Sequence, residues 1–170
     1  VEKVICVDLP MNLLTAFYYL SRNVADVDIG LVSGKEEFNK YINDEKCKII
    51  MVPTCFFDVI KEIKNNVIAL NFGSFSEMDL STVNYYLSGL PKGTSSIMQI
   101  NSNKDVLNTG NHKEVKIDDF TYPQGFFRIA ASTSYFKASG GRYKYTLHMK
   151  KMAVWVFKVV YFLIDNNDNI

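Results

Sequence analysis

The sequence predicts an α/β fold: a parallel sheet over residues 1–100, extended by antiparallel strands in the C-terminal part. Three observations carry this. Four short apolar runs in the first hundred residues are each followed by a stretch with helical spacing. A polar, asparagine-rich stretch at Asn101–His112 then breaks the alternation. Beyond it the apolar period falls to two, the period of a half-buried strand.

The first run, Val4–Asp8 (VICVD), is rich in β-branched residues and reads as a buried strand. Pro10 opens a helix over about Met11–Arg22. Val27–Val32 is the second strand. Ser33-Gly34-Lys35-Glu36 matches a capping box, with Glu36 reaching back to Ser33, and a helix with Phe38, Tyr41 and Ile42 follows. Lys48–Val52 is the third strand. Thr54 is placed to cap a helix with a stripe of Phe56, Val59, Ile60 and Ile63. Val67–Phe72 is the fourth strand, ended by Gly73-Ser74. A helix with Leu80, Val83 and Leu87 stops at Gly89 and Pro91, and Ser96–Ile100 is the fifth strand.

Near-continuous apolar strands alternating with helices indicate a parallel sheet covered on both faces. Right-handed crossovers then favour a Rossmann-like or flavodoxin-like wrap in which the first four strands are neighbours. In the C-terminal part, Glu114–Ile117, Phe126–Phe136 and Arg142–Lys150 read as strands. On the last, Tyr143, Tyr145, Leu147 and Met149 alternate with Arg142, Lys144, Thr146, His148 and Lys150, which predicts a buried aromatic face and a solvated basic one. Val154–Ile164 reads as strand or buried helix. The length of 170 residues and the 48% apolar content fit one domain, 1–170.

The net charge of +1 gives no global attraction to a polyanion, but its distribution is uneven. Residues 1–90 hold 8 basic and 12 acidic side chains; residues 91–170 hold 11 and 6. No acid occurs between Phe120 and Ile164, a segment with seven cations and 12 of the chain's 23 aromatic residues. Cations on a solvated strand face can track phosphates, and rim aromatics can stack on bases. The candidate nucleic-acid-binding residues are therefore Arg128, Lys137, Arg142, Lys144, His148, Lys150 and Lys151. An acidic protein surface or anionic lipid is the alternative partner of this kind. The competing reading is an edge strand protected by its cations, with the aromatics in the core.

In open α/β sheets, ligands bind beyond the carboxyl ends of the strands. Asp8, Ser33, Thr54, Gly73 and Ser74 fall there and are the candidate ligand-binding residues of a transferase or phosphate-handling enzyme. The competing reading is a set of ordinary strand-to-helix turns. No dinucleotide fingerprint follows the first strand, where the chain reads Asp8-Leu9-Pro10-Met11-Asn12, and no Walker sequence occurs. The residues assign no cofactor. His112 and His148 stand 36 positions apart without metal-ligand company, so no metal site is expected.

Cys6, Cys47 and Cys55 are odd in number and lack a C-x-x-C pair, which points to a reducing compartment, the cytoplasm. Cys55, beside Phe56 and Phe57, is expected to be a buried thiol of ordinary reactivity. The longest apolar run, Met152–Ile164, is 13 residues with Lys158 inside it, too short to span a membrane. Three functions remain: a nucleic-acid-binding module, an enzyme with a ligand at the strand ends, or an interaction protein using its aromatic C-terminal run.

Overall fold

The computed structural model describes residues 2–102, 115–133 and 143–150. The chain divides into two compact units, Val1–Glu62 and Ile63–Ile170.

The first unit contains β1 (Val4–Asp8), α1 (Pro10–Asn23), β2 (Asp28–Leu31), α2 (Lys35–Asn43) and β3 (Cys47–Pro53), followed by 3₁₀ turns over Thr54–Glu62. Its three strands form a parallel sheet in the order β1-β3-β2. The central strand carries the core: Ile50, Met51 and Val52 are fully buried. Leu13 of α1 and Phe38 of α2 are the buried residues of their helices. A Cβ on Gly30 would fall 2.5 Å from the Tyr41 ring, so only glycine admits that close approach of α2 to β2. The Lys3 ammonium donates to the carbonyls of Tyr41, Asp44 and Cys47. It thereby satisfies acceptors at the C-terminal end of α2, where the helix dipole favours a cation.

Three local expectations change here. Ser33 is tied to Glu37, not Glu36: one Glu37 carboxylate oxygen accepts from both the backbone N–H and the hydroxyl of Ser33, each at 2.6 Å. The segment after β3 is 3₁₀ rather than α-helical. Its period of three aligns Thr54, Phe57 and Ile60, and Phe57 and Ile60 are buried. Cys55 is turned outward and exposed, which corrects the expectation of a buried thiol.

The second unit contains β4 (Val67–Phe72), a 3₁₀ turn at Ser74–Glu77, α3 (Leu80–Ser88), β5 (Thr94–Ser102), a 3₁₀ turn at Ile117–Asp119, β6 (Phe126–Thr133) and β7 (Tyr143–Lys150). Its four strands run in the order β4-β5-β7-β6. β4 and β5 are parallel, and β7 is antiparallel to both of its neighbours. The fold is thus mixed α/β with a parallel sheet and a mixed sheet. The expectation of one sheet joining the first four strands is corrected, because β4 pairs with β5 in the second sheet. Apolar content marks a strand but does not name its neighbour. The expected strand at Glu114–Ile117 is also corrected: Ile117 begins a 3₁₀ turn, and Glu114 lies outside the described residues.

Val83 and Leu87 of α3, Ile97 of β5, Ile117 and Phe120 form the core of this unit. Asp79 caps α3, accepting from the Thr82 N–H and hydroxyl and from Ser81. Those bonds hold its carboxyl well below the usual range. Gly93 sits where a Cβ would lie 1.8 Å from the Asn65 carbonyl oxygen, so the strand entry closes only on a bare backbone.

Candidate functional site

Two faces of the mixed sheet follow from its register. One row of the covered face runs Ala69–Ile97–His148–Arg128, and the next runs Asn71–Gln99–Thr146–Ala131. α3 and the Ile117–Phe120 turn pack on this side through Ile97 and Ala69. Yet much of it is polar. Gln99 and Asn101 are fully buried, Thr146 is 1% exposed and His148 5%.

These buried groups form a chain. Asn101 Nδ2 donates to Gln99 Oε1 at 3.2 Å, and Gln99 Nε2 donates to the Tyr122 hydroxyl at 3.3 Å. The Tyr122 ring stacks on His148, with centroids 3.6 Å apart. Burial pushes the Tyr122 phenol up to about 12, so it stays protonated. Burial, and then the Arg128 charge, pushes the His148 imidazole down to about 4, so it is neutral at neutral pH. Among the described residues, the Nδ1 of His148, the Oδ1 of Asn101 and the hydroxyl oxygen of Thr94 have no hydrogen-bond partner.

At the rim, Asp118 gathers two cations. Lys144 Nζ reaches its two oxygens at 2.6 and 2.8 Å, and Arg128 reaches Oδ1 at 2.8 Å. The Lys144 hydrogen bond, with help from Arg128, lowers the Asp118 carboxyl pKa. Lys150 donates to the Lys92 carbonyl at 2.9 Å and lies over the Phe126 ring.

These contacts revise the predicted basic face. His148 and Thr146 point into the covered side, while Tyr145, Leu147 and Met149 lie on the other. The alternation along the strand is as expected, but its two sides are exchanged. Arg128 and Lys144 share Asp118. Lys137, Arg142, Lys151 and the Tyr143 side chain lie outside the described residues, as does Val154–Ile164.

The opposite face is mainly apolar; it is exposed along β4 and at Phe127, while Ser96 within it is buried, at 8%. Its rows run Ile68–Ser96–Met149–Phe127, then Leu70–Met98–Leu147–Ala130, then Phe72–Ile100–Tyr145–Ser132. None of the twelve carries a charge. Ile68 is 64% exposed, Leu70 58%, Phe72 59% and Phe127 53%. This surface was not among the sequence-predicted sites. A continuous apolar run such as VIALNF does not say which of its faces is left open.

The strand-end candidates are divided between the units. In the first, Asp8 pairs with Pro53 across β1 and β3, which brings Asp8 close to Thr54. Asp8 Oδ1 already accepts from the Leu9 N–H and from Asn12. Ser33 is held by Glu37. In the second, Ser74 accepts from Asn71 Nδ2 at 2.6 Å, and Gly73 adopts φ +84° at the turn leaving β4. Asp8, Ser33 and Ser74 therefore each bond within their own turn.

Among the described residues, no group of three His, Cys, Asp or Glu side chains could hold a metal ion, and no helix is long and apolar enough to cross a membrane. No protein-family model matches the chain, and neither a curated protein nor a solved structure matches it.

Proposed function

We propose that this chain is a protein-interaction module whose contact surface is the open apolar face of the mixed sheet. One observation carries the reading: twelve uncharged positions in register, with Ile68, Leu70, Phe72 and Phe127 more than half exposed. Apolar patches of this kind mark contact sites on soluble proteins. Burying such side chains against a partner stabilises the complex by about 25 cal/mol per Å² of apolar surface removed from water.

Two features weigh against the nucleic-acid alternative. Arg128 and Lys144 are occupied by Asp118. His148 is buried and neutral, so it offers no charge to phosphate.

The test is a photo-reactive benzoylphenylalanine in place of Phe72, with one at exposed Thr121 as the control. Irradiation in the living cell is expected to give protein adducts at position 72 and not at 121. Absence of adducts at 72 overturns the reading.

A further inference from the structure

We infer that the apolar face is regulated from within the chain: the run 152–164 docks on it as a helix, and a partner must displace that run to bind. The inference rests on the interaction reading above and names how the same site is controlled.

The face needs a broad cover. Its most exposed side chains stand at opposite edges of the sheet, Ile68, Leu70 and Phe72 on β4 and Phe127 on β6. Between them lie Met98 and Ile100 of β5 and Leu147 and Met149 of β7. Four strands span about 14 Å across, and three rows two residues apart span about 14 Å along the strands. The face is therefore about 20 Å from corner to corner.

The chain supplies a run of that size. Positions 152–164 read MAVWVFKVVYFLI, with Lys158 as the one charge. These positions lie outside the described residues, and their sequence carries the argument. As a helix the run is about 20 Å long, the diagonal of the face. As a strand it would measure about 43 Å, twice that diagonal. At helical spacing, positions 153, 156, 157, 160, 163 and 164 are Ala, Val, Phe, Val, Leu and Ile, an unbroken apolar stripe. Lys151, Lys158 and Asp165 recur on the opposite side of the same helix.

The connection brings the run to the face. β7 is an interior strand, and Met149 near its end lies in the first row of the face. Lys150 is held by the Lys92 carbonyl. Only Lys151 and Met152 then separate the strand from the stripe, within the usual strand-to-helix connection of about two to six residues. A run tethered so closely acts at an effective concentration in the millimolar range. A weak apolar contact is then enough to hold it, and it still yields to a partner that binds the face more tightly. Neither the twelve positions of the face nor the stripe carries a charge, so the contact buries no ionised group.

The test places benzoylphenylalanine at position 72 of the full chain, purified and alone. Irradiation is expected to link position 72 to a peptide within 152–164 of the same molecule, at monomer mass. The probe at Thr121 is expected to give no such link. In the living cell, Val160→Asp, within the stripe, is expected to raise the adducts of position 72 with other proteins about tenfold, the gain for a face left open in about one chain in ten. Lys158→Asp puts the same group on the other side of the run and is expected to leave them unchanged. The inference is overturned by links from position 72 that fall in residues 1–62 or nowhere, by equal linking from 72 and 121, or by an equal response to the two substitutions. In each of those cases, adducts at 72 in the cell leave the interaction reading in place. Links to 152–164 with no adducts in the cell, in the parent and in Val160→Asp alike, overturn the interaction reading and the regulation with it, and make the run a permanent layer of the fold.

Discussion

The imidazole of His148 lies against the phenol ring of Tyr122, with centroids 3.6 Å apart and planes 21° from parallel. The stack joins β7 to the segment that precedes β6, beneath a strand face that alternation alone would place in solvent. His148 is thereby a neutral, buried group of the second unit rather than a surface cation.

That placement predicts acid sensitivity. The imidazole titrates at about 4 in the folded chain, against about 6.5 when unfolded. Between those values the unfolded chain binds the proton and the folded chain does not, so stability falls as pH falls from 6.5 toward 4. Asp118, whose carboxyl pKa is lowered by Lys144 and Arg128, adds a loss of the same sign at lower pH. Urea unfolding is expected to show a loss of about 2 kcal/mol between pH 7 and pH 5. In His148→Gln that pH dependence should largely vanish. An equal slope in the variant would place the titrating group elsewhere.

Tyr122 should respond differently to loss of its hydroxyl and loss of its ring. Tyr122→Phe keeps the stack but removes the acceptor of the Gln99 amide, a loss of about 1 kcal/mol. Tyr122→Ala removes the ring over His148 and should cost about 3–5 kcal/mol. Its phenol pKa is raised, so the folded chain holds its proton while the unfolded chain loses it, and stability falls as pH rises from 10 toward about 12. Denaturation of both variants at pH 7, and of Tyr122→Phe at pH 11, checks these expectations.

Much of the fold was legible because local signals and burial agreed. Pro10 starts α1, Gly89 and Pro91 end α3, and the VICVD and VIALNF runs are strands. The pairing of β4 was not legible, since parallel neighbours are chosen by contacts distant in sequence. The sidedness of β7 was not legible for a related reason. The RYKYTLHMK pattern fixes which residues alternate, but α3 and the Ile117–Phe120 turn decide which side is covered. They cover the side of Thr146 and His148. A signal existed in β5, where Gln99 and Asn101 fall two apart beside Ile97, on the face that becomes the core. The open face gave no such signal.

The cysteines should separate by rate of alkylation. Cys55 is exposed, Cys6 half-buried and Cys47 buried. Burial, together with Asp8, raises the Cys6 thiol pKa, and burial raises that of Cys47. Since the thiolate is the reactive form, iodoacetamide at neutral pH is expected to modify Cys55 first and Cys47 last. Peptide mapping over time reads the order directly. Early labelling of Cys47 would contradict the β3 packing described above.

Two glycines of the second unit should differ in their tolerance of alanine. At Gly93 the added methyl meets the Asn65 carbonyl oxygen at 1.8 Å, and the obstacle is backbone. Gly93→Ala must displace the entry to β4 or β5 and should cost about 3 kcal/mol. At Gly73 space is open, and the strain is conformational, from φ +84°. Gly73→Ala should cost about 1 kcal/mol. Thermal melts of the two variants against the parent chain give the ranking, and a smaller loss at Gly93 would refute it.

Asp118 offers a direct measure of how far the local cations are committed within the fold. Its carboxylate holds Lys144 and Arg128 together at 2.6 and 2.8 Å. Asp118 and Arg128 are each about half exposed, so these pairs contribute little to stability, within about 1 kcal/mol. Asp118→Ala should therefore fold like the parent but release two positive charges on one rim. A single-stranded oligonucleotide is expected to bind the parent weakly and the variant more tightly. Each freed cation that meets a phosphate adds about 0.7 to the log–log salt slope, so the variant should steepen it by about 1.4. Fluorescence titration at two salt concentrations reads both quantities. Tight, steeply salt-dependent binding by the parent chain would mean that cations other than Arg128 and Lys144 carry a nucleic-acid site, and would bring back that reading. Equal, weak binding by both proteins would show that even the freed pair does not act on phosphate, leaving the apolar face as the surface to pursue.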